Sequence, residues 1–159
     1  MNAAVESVRS LWVPLSGMNL LVPNVAIAEV INYQPVDLID QGPDWLIGRI
    51  RWREREVPVV SMERMLGFEA RASMSGARIS IVNSVSRNSE VPFFAMVTSG
   101  IPRLFSAEAD ALGDSVLDSG THKEMVADAV QIGSEKALIP NLEKIQRVIE
   151  AEWKRIVIR

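Results

Sequence analysis

Leu46-Ile-Gly-Arg-Ile-Arg-Trp-Arg-Glu-Arg-Glu-Val-Pro-Val-Val-Ser-Met-Glu-Arg-Met-Leu-Gly-Phe68 is the stretch on which the fold turns. From Ile47 to Arg53 apolar and polar residues alternate. Ile50 and Trp52 share one parity; Arg49, Arg51 and Arg53 share the other. Successive side chains of a strand point to opposite faces, so this pattern predicts a strand with one dry and one wet face. Arg53 to Glu56 is charged enough to be the solvated tip of a hairpin. Val57 to Val60 then returns as a second strand, and Pro58, which has no N–H to donate, puts part of it at an edge or a bulge. Ser61 suits the N-cap of a short helix over Met62 to Leu66, with Gly67 as its left-handed C-terminal residue.

Toward the N-terminus, residues 1–7 read as a flexible lead-in. Val8 to Val13 and Met18 to Val22 form a hairpin around the turn at Pro14 to Gly17. After a break at Pro23 and Asn24, Val25 to Ile31 reads as a turn followed by a strand. Asn32 to Asp44 carries two Pro, one Gly and three Asp, the composition of a surface loop.

Toward the C-terminus, Glu69 to Gly76 is a polar connector and the expected meeting point of two lobes, between which a strand could be exchanged. Ile79 to Val85 and Val91 to Val97 read as buried strands around a polar turn at Ser86 to Glu90. Ile101 to Phe105 is a further short strand, and Ser106 caps a helical turn through Ala109. Leu112 to Lys123, rich in Gly, Ser and Asp, is a loop. Met125 to Ile132 and Ala137 to Ile139 pair across Gly133 to Lys136. Asn141 then caps a helix in which Leu142, Ile145, Ile149 and Trp153 recur at helical spacing. Residues 151–159 are the end of that helix and a tail. Nine or ten short strands with Gly and Pro turns indicate a mainly β protein of barrels or a sandwich.

At 159 residues and 48% apolar composition the chain can bury a proper core. A net charge of −3 argues against a dedicated nucleic-acid binder. No apolar run approaches the ~20 residues of a membrane-spanning helix, and the first residues lack the basic start and apolar centre of a signal peptide. The absence of cysteine removes disulfide and thiolate chemistry and fits a cytoplasmic protein.

The same inventory argues against catalysis. A triad needs a nucleophile, a base and an orienting group. The one imidazole, His122, lies in a polar loop without a second histidine, and one His with no Cys leaves zinc without its usual ligands. Asp110, Asp114 and Asp118 lack the alternating ligands and closing Glu of a calcium loop. Gly-rich phosphate cradles are missing. The expectation is therefore no enzyme, no metal and no cofactor.

Arg49, Arg51, Arg53 and Arg55 form a basic ladder that admits three readings. On a continuous strand it would make a cationic stripe able to bind a phosphate backbone, as in a small β-barrel nucleic-acid-binding protein. Against this, Glu54 and Glu56 are interleaved and Trp52 has inward parity. It could be a solvated hairpin whose cross-strand pairs contribute only ~0.2–1 kcal/mol each. It could also dock a protein, since Arg binds carboxylates through a fork while its stem covers apolar surface.

Gly48, Ile50, Trp52, Arg53, Pro58, Leu66 and Gly67 resemble the central motif of the CheW-like family, a Gly-x-Ile-x-Leu-Arg-Gly hairpin followed by a Pro-bearing strand and a short helix ending in Leu-Gly. Trp52 stands for the Leu, and Glu54 departs from the family Gly. The resemblance extends over roughly Ser10 to Glu150, with Ile27-Ala-Glu29-Val30 in the place of the family's Val-x-Glu-Ile strand. It implies two small five-stranded SH3-like β-barrel lobes within residues 8–150, with short helices and a C-terminal helix. It implies a non-catalytic adaptor coupling chemoreceptors to a CheA-type histidine kinase in a bacterial chemosensory array. The receptor's signalling tip would meet a groove between the lobes through Ile27, Glu29 and Arg53. The kinase's regulatory domain would dock on the flank around Gly48 and Arg49. The protein would be cytoplasmic, recruited to membrane-bound receptor arrays without inserting in the membrane. The extra charge at Arg49 and Arg51, with Glu54, suggests a divergent member similar to the ChpC-like adaptors of type IV pilus (twitching motility) systems.

Overall fold

The computed structural model describes residues 7–69, 75–86, 89–108, 113–114, 117 and 120–157. A hairpin of β1 (Ser7–Leu15) and β2 (Met18–Pro23) is followed by a 3-10 turn over Asn24–Ala26 and by β3 (Ile27–Asn32). The central unit is β4 (Asp37–Leu38), β5 (Leu46–Trp52), β6 (Arg55–Val60) and helix α1 (Met62–Met65). Then come β7 (Arg78–Asn83), β8 (Phe93–Thr98), β9 (Arg103–Glu108), β10 (Gly113–Asp114), β11 (Val126–Ile132), β12 (Glu135–Pro140) and helix α2 (Leu142–Val157).

The strands form two sheets, ordered β10-β11-β12-β2-β1-β9 and β3-β7-β8-β6-β5-β4. Each holds five strands of six or more residues and one of only two, β10 or β4. The expected five-stranded halves of a mainly β fold are thus five full strands with a short strand at one edge. The N-terminal hairpin sits in the sheet otherwise built from β9 to β12, while β3 to β8 make the other. The polar connector at 69–76 leads from α1 into β7; its residues 70–74 lie outside the described region.

Alternation along the strands feeds three separate cores. Ile50, Trp52, Val57, Val59, Ile79, Ile81 and Ala95 pack inside the second sheet. Trp12, Leu21, Val130 and Ala137 pack inside the first. The opposite parity of the same strands (Val13, Leu20, Val60, Val82, Phe94, Met96 and Leu138 among them) fills a third core between the sheets, together with Met62 and Met65 of α1 and Ile145 and Ile149 of α2. Strands buried on both faces must be apolar at nearly every position. That is why Val57 to Val60 and Val91 to Val97 read as continuous apolar runs.

The central hairpin and helix form as their local chemistry dictates. The backbone N–H of Arg64 donates to Ser61 Oγ at 3.3 Å, which makes Ser61 the N-cap. At the other end Phe68 N–H reaches Glu63 O at 2.7 Å and Gly67 N–H reaches Arg64 O at 3.2 Å, with Gly67 at φ +94°. This is a Schellman closure. Gly67 is needed twice over: a Cβ there would lie 2.2 Å from the carbonyl oxygen of Gly120.

Several expectations need correcting. Pro58 is not at an edge: β6 lies between β8 and β5. Its pairing with β8 starts only at Val59, and the bulge lies opposite, between Leu46 and Gly48 of β5. Ser106 does not start a helical turn. Ser106, Ala107 and Glu108 pair with Arg9, Val8 and Ser7, so a whole row of inter-strand bonds outweighs one capping hydroxyl; Ala109 is outside the described residues. The surface loop from Asn32 to Asp44 contributes β4, and the loop from Leu112 to Lys123 contributes β10, both too short to show a period. Residues 1–6, residues 87–88 of the turn at Ser86 to Glu90, and the last two of the tail, 158–159, also lie outside the described region.

Candidate functional site

The hairpin closes tightly. Trp52 pairs directly with Arg55, leaving Arg53 and Glu54 as a two-residue loop. Their φ angles, +48° and +63°, are both left-handed. Such loops match the right-handed twist of the flanking strands, and they favour Asn-Gly because two consecutive residues need positive φ. Here neither is glycine. Glu54, which stands where the family has Gly, adopts the left-handed conformation that a glycine would take without cost.

Interactions around the loop offset its strain. Trp52 is buried, and its ring meets Phe93 edge-on with centroids 4.9 Å apart. Its Nε1–H donates to Glu29 Oε1 at 3.1 Å. Arg53 turns back so that its guanidinium lies 4.6 Å from the centre of the Trp52 ring, while its Nη2–H donates to the same Oε1 at 3.1 Å. The guanidinium of Arg55 lies 5.6 Å from the Phe93 ring centre. The outcome is a partly exposed patch on β3 and the β5–β6 tip: an ion pair braced by an indole.

Glu29 and Arg53, which the resemblance assigns together to a receptor surface, are thus in direct contact. Ile27 begins β3, separated from Glu29 by an irregularity in the register, and is half-buried against the core between the sheets. Gly48 is buried. A Cβ there would stand 2.1 Å from the carbonyl oxygen of Asp37, so the glycine lets β4 lie against β5. The surface over Gly48 is therefore β4 itself, with Leu38 80% exposed. Arg49 is exposed beside it and pairs with Glu56 across the hairpin at 3.4 Å.

The four arginines do not lie along one strand. Arg49 and Arg51 face Pro58 and Glu56 across the β5–β6 ladder, Arg53 is in the loop, and Arg55 pairs opposite Trp52. The left-handed loop reverses the chain between Arg53 and Arg55. It divides the ladder into an outer pair and a pair stacked on aromatic rings.

Sequence reasoning missed the bracing role of Trp52, whose inward parity was read correctly but whose N–H reaches a neighbouring strand. Phe93 was seen only as part of a buried run. A buried Trp needs a partner for its N–H, and that signal pointed to a nearby acceptor. The space between the sheets is filled by apolar side chains. A cleft of about 350 Å³ beside α1, lined by Met18, Asn19, Phe68, Thr121, Lys136 and Leu138, does not include Ile27, Glu29 or Arg53. His122 is exposed but anchored: its Nδ1 lies 3.0 Å from Met65 O, and its backbone N–H donates to Leu66 O at 3.0 Å. Asp114 lies in β10, and Asp110 and Asp118 are outside the described residues. Among the described residues no helix is long and apolar enough to cross a membrane.

Among solved structures, the chain is similar to the scaffolding protein TtCheW from Thermoanaerobacter tengcongensis, with a TM-score of 0.70 over 85% of this chain and 84% of that one, at 14% sequence identity. At that identity the likeness is one of fold. No curated protein matches the chain. Residues 9–150 match the CheW-like domain, which takes in both sheets, the hairpin tip and most of α2. The chain belongs to the CheW-like domain family.

Proposed function

We propose that this protein is a non-catalytic adaptor of a bacterial chemosensory array that holds a chemoreceptor and a CheA-type histidine kinase at once. The observation that carries this reading is the Glu29–Arg53 pair. Two residues 24 positions apart, each attributed to receptor binding by the family resemblance, converge on one partly exposed patch of a CheW-like fold. Ile27, Glu29 and Arg53 take the receptor's signalling tip. The kinase's regulatory domain docks on the flank around Gly48 and Arg49, where β4 presents Leu38 to solvent.

Both surfaces belong to one hydrogen-bonded sheet, a rigid link through which receptor state can alter kinase geometry. The protein works in the cytoplasm and is recruited to membrane-bound arrays. Charge at Arg49 and Arg51, and Glu54 in place of the family Gly, favour a ChpC-like adaptor of a type IV pilus system that governs twitching motility.

The test is a pull-down from cytoplasmic extract with Arg53→Glu as the control. The wild-type chain should bring down a chemoreceptor and a histidine kinase together. The variant should lose the receptor while keeping its fold, because the Arg53 side chain is 68% exposed. Receptor capture that is unchanged in the variant removes Arg53 from the surface.

A further inference from the structure

The ion pair at the hairpin tip is half used. Both donors, Trp52 Nε1–H and Arg53 Nη2–H, converge on Glu29 Oε1. Among the described residues, Glu29 Oε2 takes no hydrogen bond and the guanidinium keeps further N–H groups unengaged; the side chains are 38% and 68% exposed. A carboxylate has about four acceptor sites and a guanidinium five donors, so the patch offers solvent an acceptor and a donor side by side.

We infer that this patch recognises a neutral carboxamide or peptide group, which accepts from Arg53 and donates to Glu29 Oε2, and that Trp52 is the positioning residue that sets this preference. The inference rests on the receptor-docking reading above and names the chemistry of that contact. An acidic group reaching for Arg53 would be brought close to the Glu29 carboxylate, and a basic group reaching for Glu29 would be brought close to the guanidinium. Either pays a like-charge repulsion. An Asn or Gln side chain, or an exposed peptide unit, carries both complementary functions and no net charge. Trp52 makes the selection firm because it fixes both partners. Its N–H pins one oxygen of Glu29, and its ring supports Arg53 from below. With an aliphatic residue at 52 the carboxylate could turn and the guanidinium could swing free, leaving a simple cationic contact.

The experiment is titration calorimetry of the full chain with a chemoreceptor signalling-domain fragment, for wild type, Glu29→Gln, Arg53→Gln and Trp52→Phe. Melting temperatures are recorded in parallel. Glu29→Gln should weaken binding by about tenfold, the loss of one charge-assisted hydrogen bond. Trp52→Phe keeps a ring but no N–H and should weaken it several-fold. The salt dependence of binding should have the same slope in wild type and Arg53→Gln, since a neutral partner exchanges no ion pair. Tighter binding by Glu29→Gln, or a flatter slope for Arg53→Gln, would identify an acidic partner and overturn the inference while leaving receptor docking in place. If Trp52→Phe melts early, the Glu29 variant and the salt slopes decide alone. A wild-type chain that binds no receptor fragment removes the docking reading and this inference with it.

Discussion

The carboxylate of Glu63, in the first turn of α1, accepts a hydrogen bond from the backbone N–H of Ser16 at 2.9 Å, 47 residues earlier in the chain. Ser16 is in the β1–β2 turn of the first sheet, whereas α1 follows directly from β6 of the second. The carboxylate is buried at 6% exposure, and its other oxygen takes a hydrogen bond from Ser61 Oγ at 3.4 Å. One side chain therefore ties together the two sheets, the N-cap of α1 and the turn of the N-terminal hairpin.

Glu63→Ala should destabilise the protein by about 1.5–3 kcal/mol, the range for losing a hydrogen bond to a charged group. Glu63→Gln keeps one acceptor oxygen and should lose less. Urea denaturation followed by tryptophan fluorescence measures both. A loss below about 0.5 kcal/mol for the alanine variant, the scatter of ordinary surface changes, would show that Ser16 finds another partner.

Glu54→Gly should stabilise the fold. A non-glycine residue in the left-handed region costs roughly 1–2 kcal/mol, and glycine recovers this against a backbone-entropy cost of about 0.5–1 kcal/mol. The expected net gain is about 0.5–1 kcal/mol, read as a higher urea midpoint with an unchanged slope. A lower midpoint would mean that the Glu54 side chain contributes more than its backbone strain costs.

Gly67→Ala should be among the most damaging small substitutions in the chain. The added methyl meets Gly120 O at 2.2 Å, and the residue must still hold φ +94°. Overpacking of about 1–3 kcal/mol adds to the conformational cost. The local readout is hydrogen exchange: the amide of His122, bonded to Leu66 O, should lose protection before the strands do. Full retention of that protection would show that the Gly120 loop can withdraw without consequence.

Much of the fold was legible because its signals act within a few residues. Ser61 capping α1, Gly67 closing it, the two arms of the central hairpin and the apolar face of α2 at Ile145 and Ile149 all follow from local geometry. The misreadings fall where distant chain decides. Ser106 has the chemistry of a cap, but β1 supplies a strand for it to join. Asp37 and Leu38 look like loop until the absence of a side chain at Gly48 gives them somewhere to pair. The arginine ladder looks continuous until a left-handed loop, unfavourable for Arg53 and Glu54 in isolation, folds it in two.

By itself, the order of residues determined that strand, turn, strand and capped helix follow one another across Leu46–Phe68, which parity of β5 is dry, and that the chain resembles the CheW-like family. The charged tip expected over Arg53 to Glu56 shrinks to Arg53 and Glu54, because Arg55 and Glu56 pair with Trp52 and Arg51 and so extend β6. Periodicity, capping and turn preference are properties of neighbours, so they can be read without a partner. Only the tertiary structure decided that Glu29 meets Arg53 and Trp52, and that Glu63 reaches Ser16. Those contacts join strands and turns brought together by sheet pairing, and no local preference of a carboxylate says which distant N–H it will find.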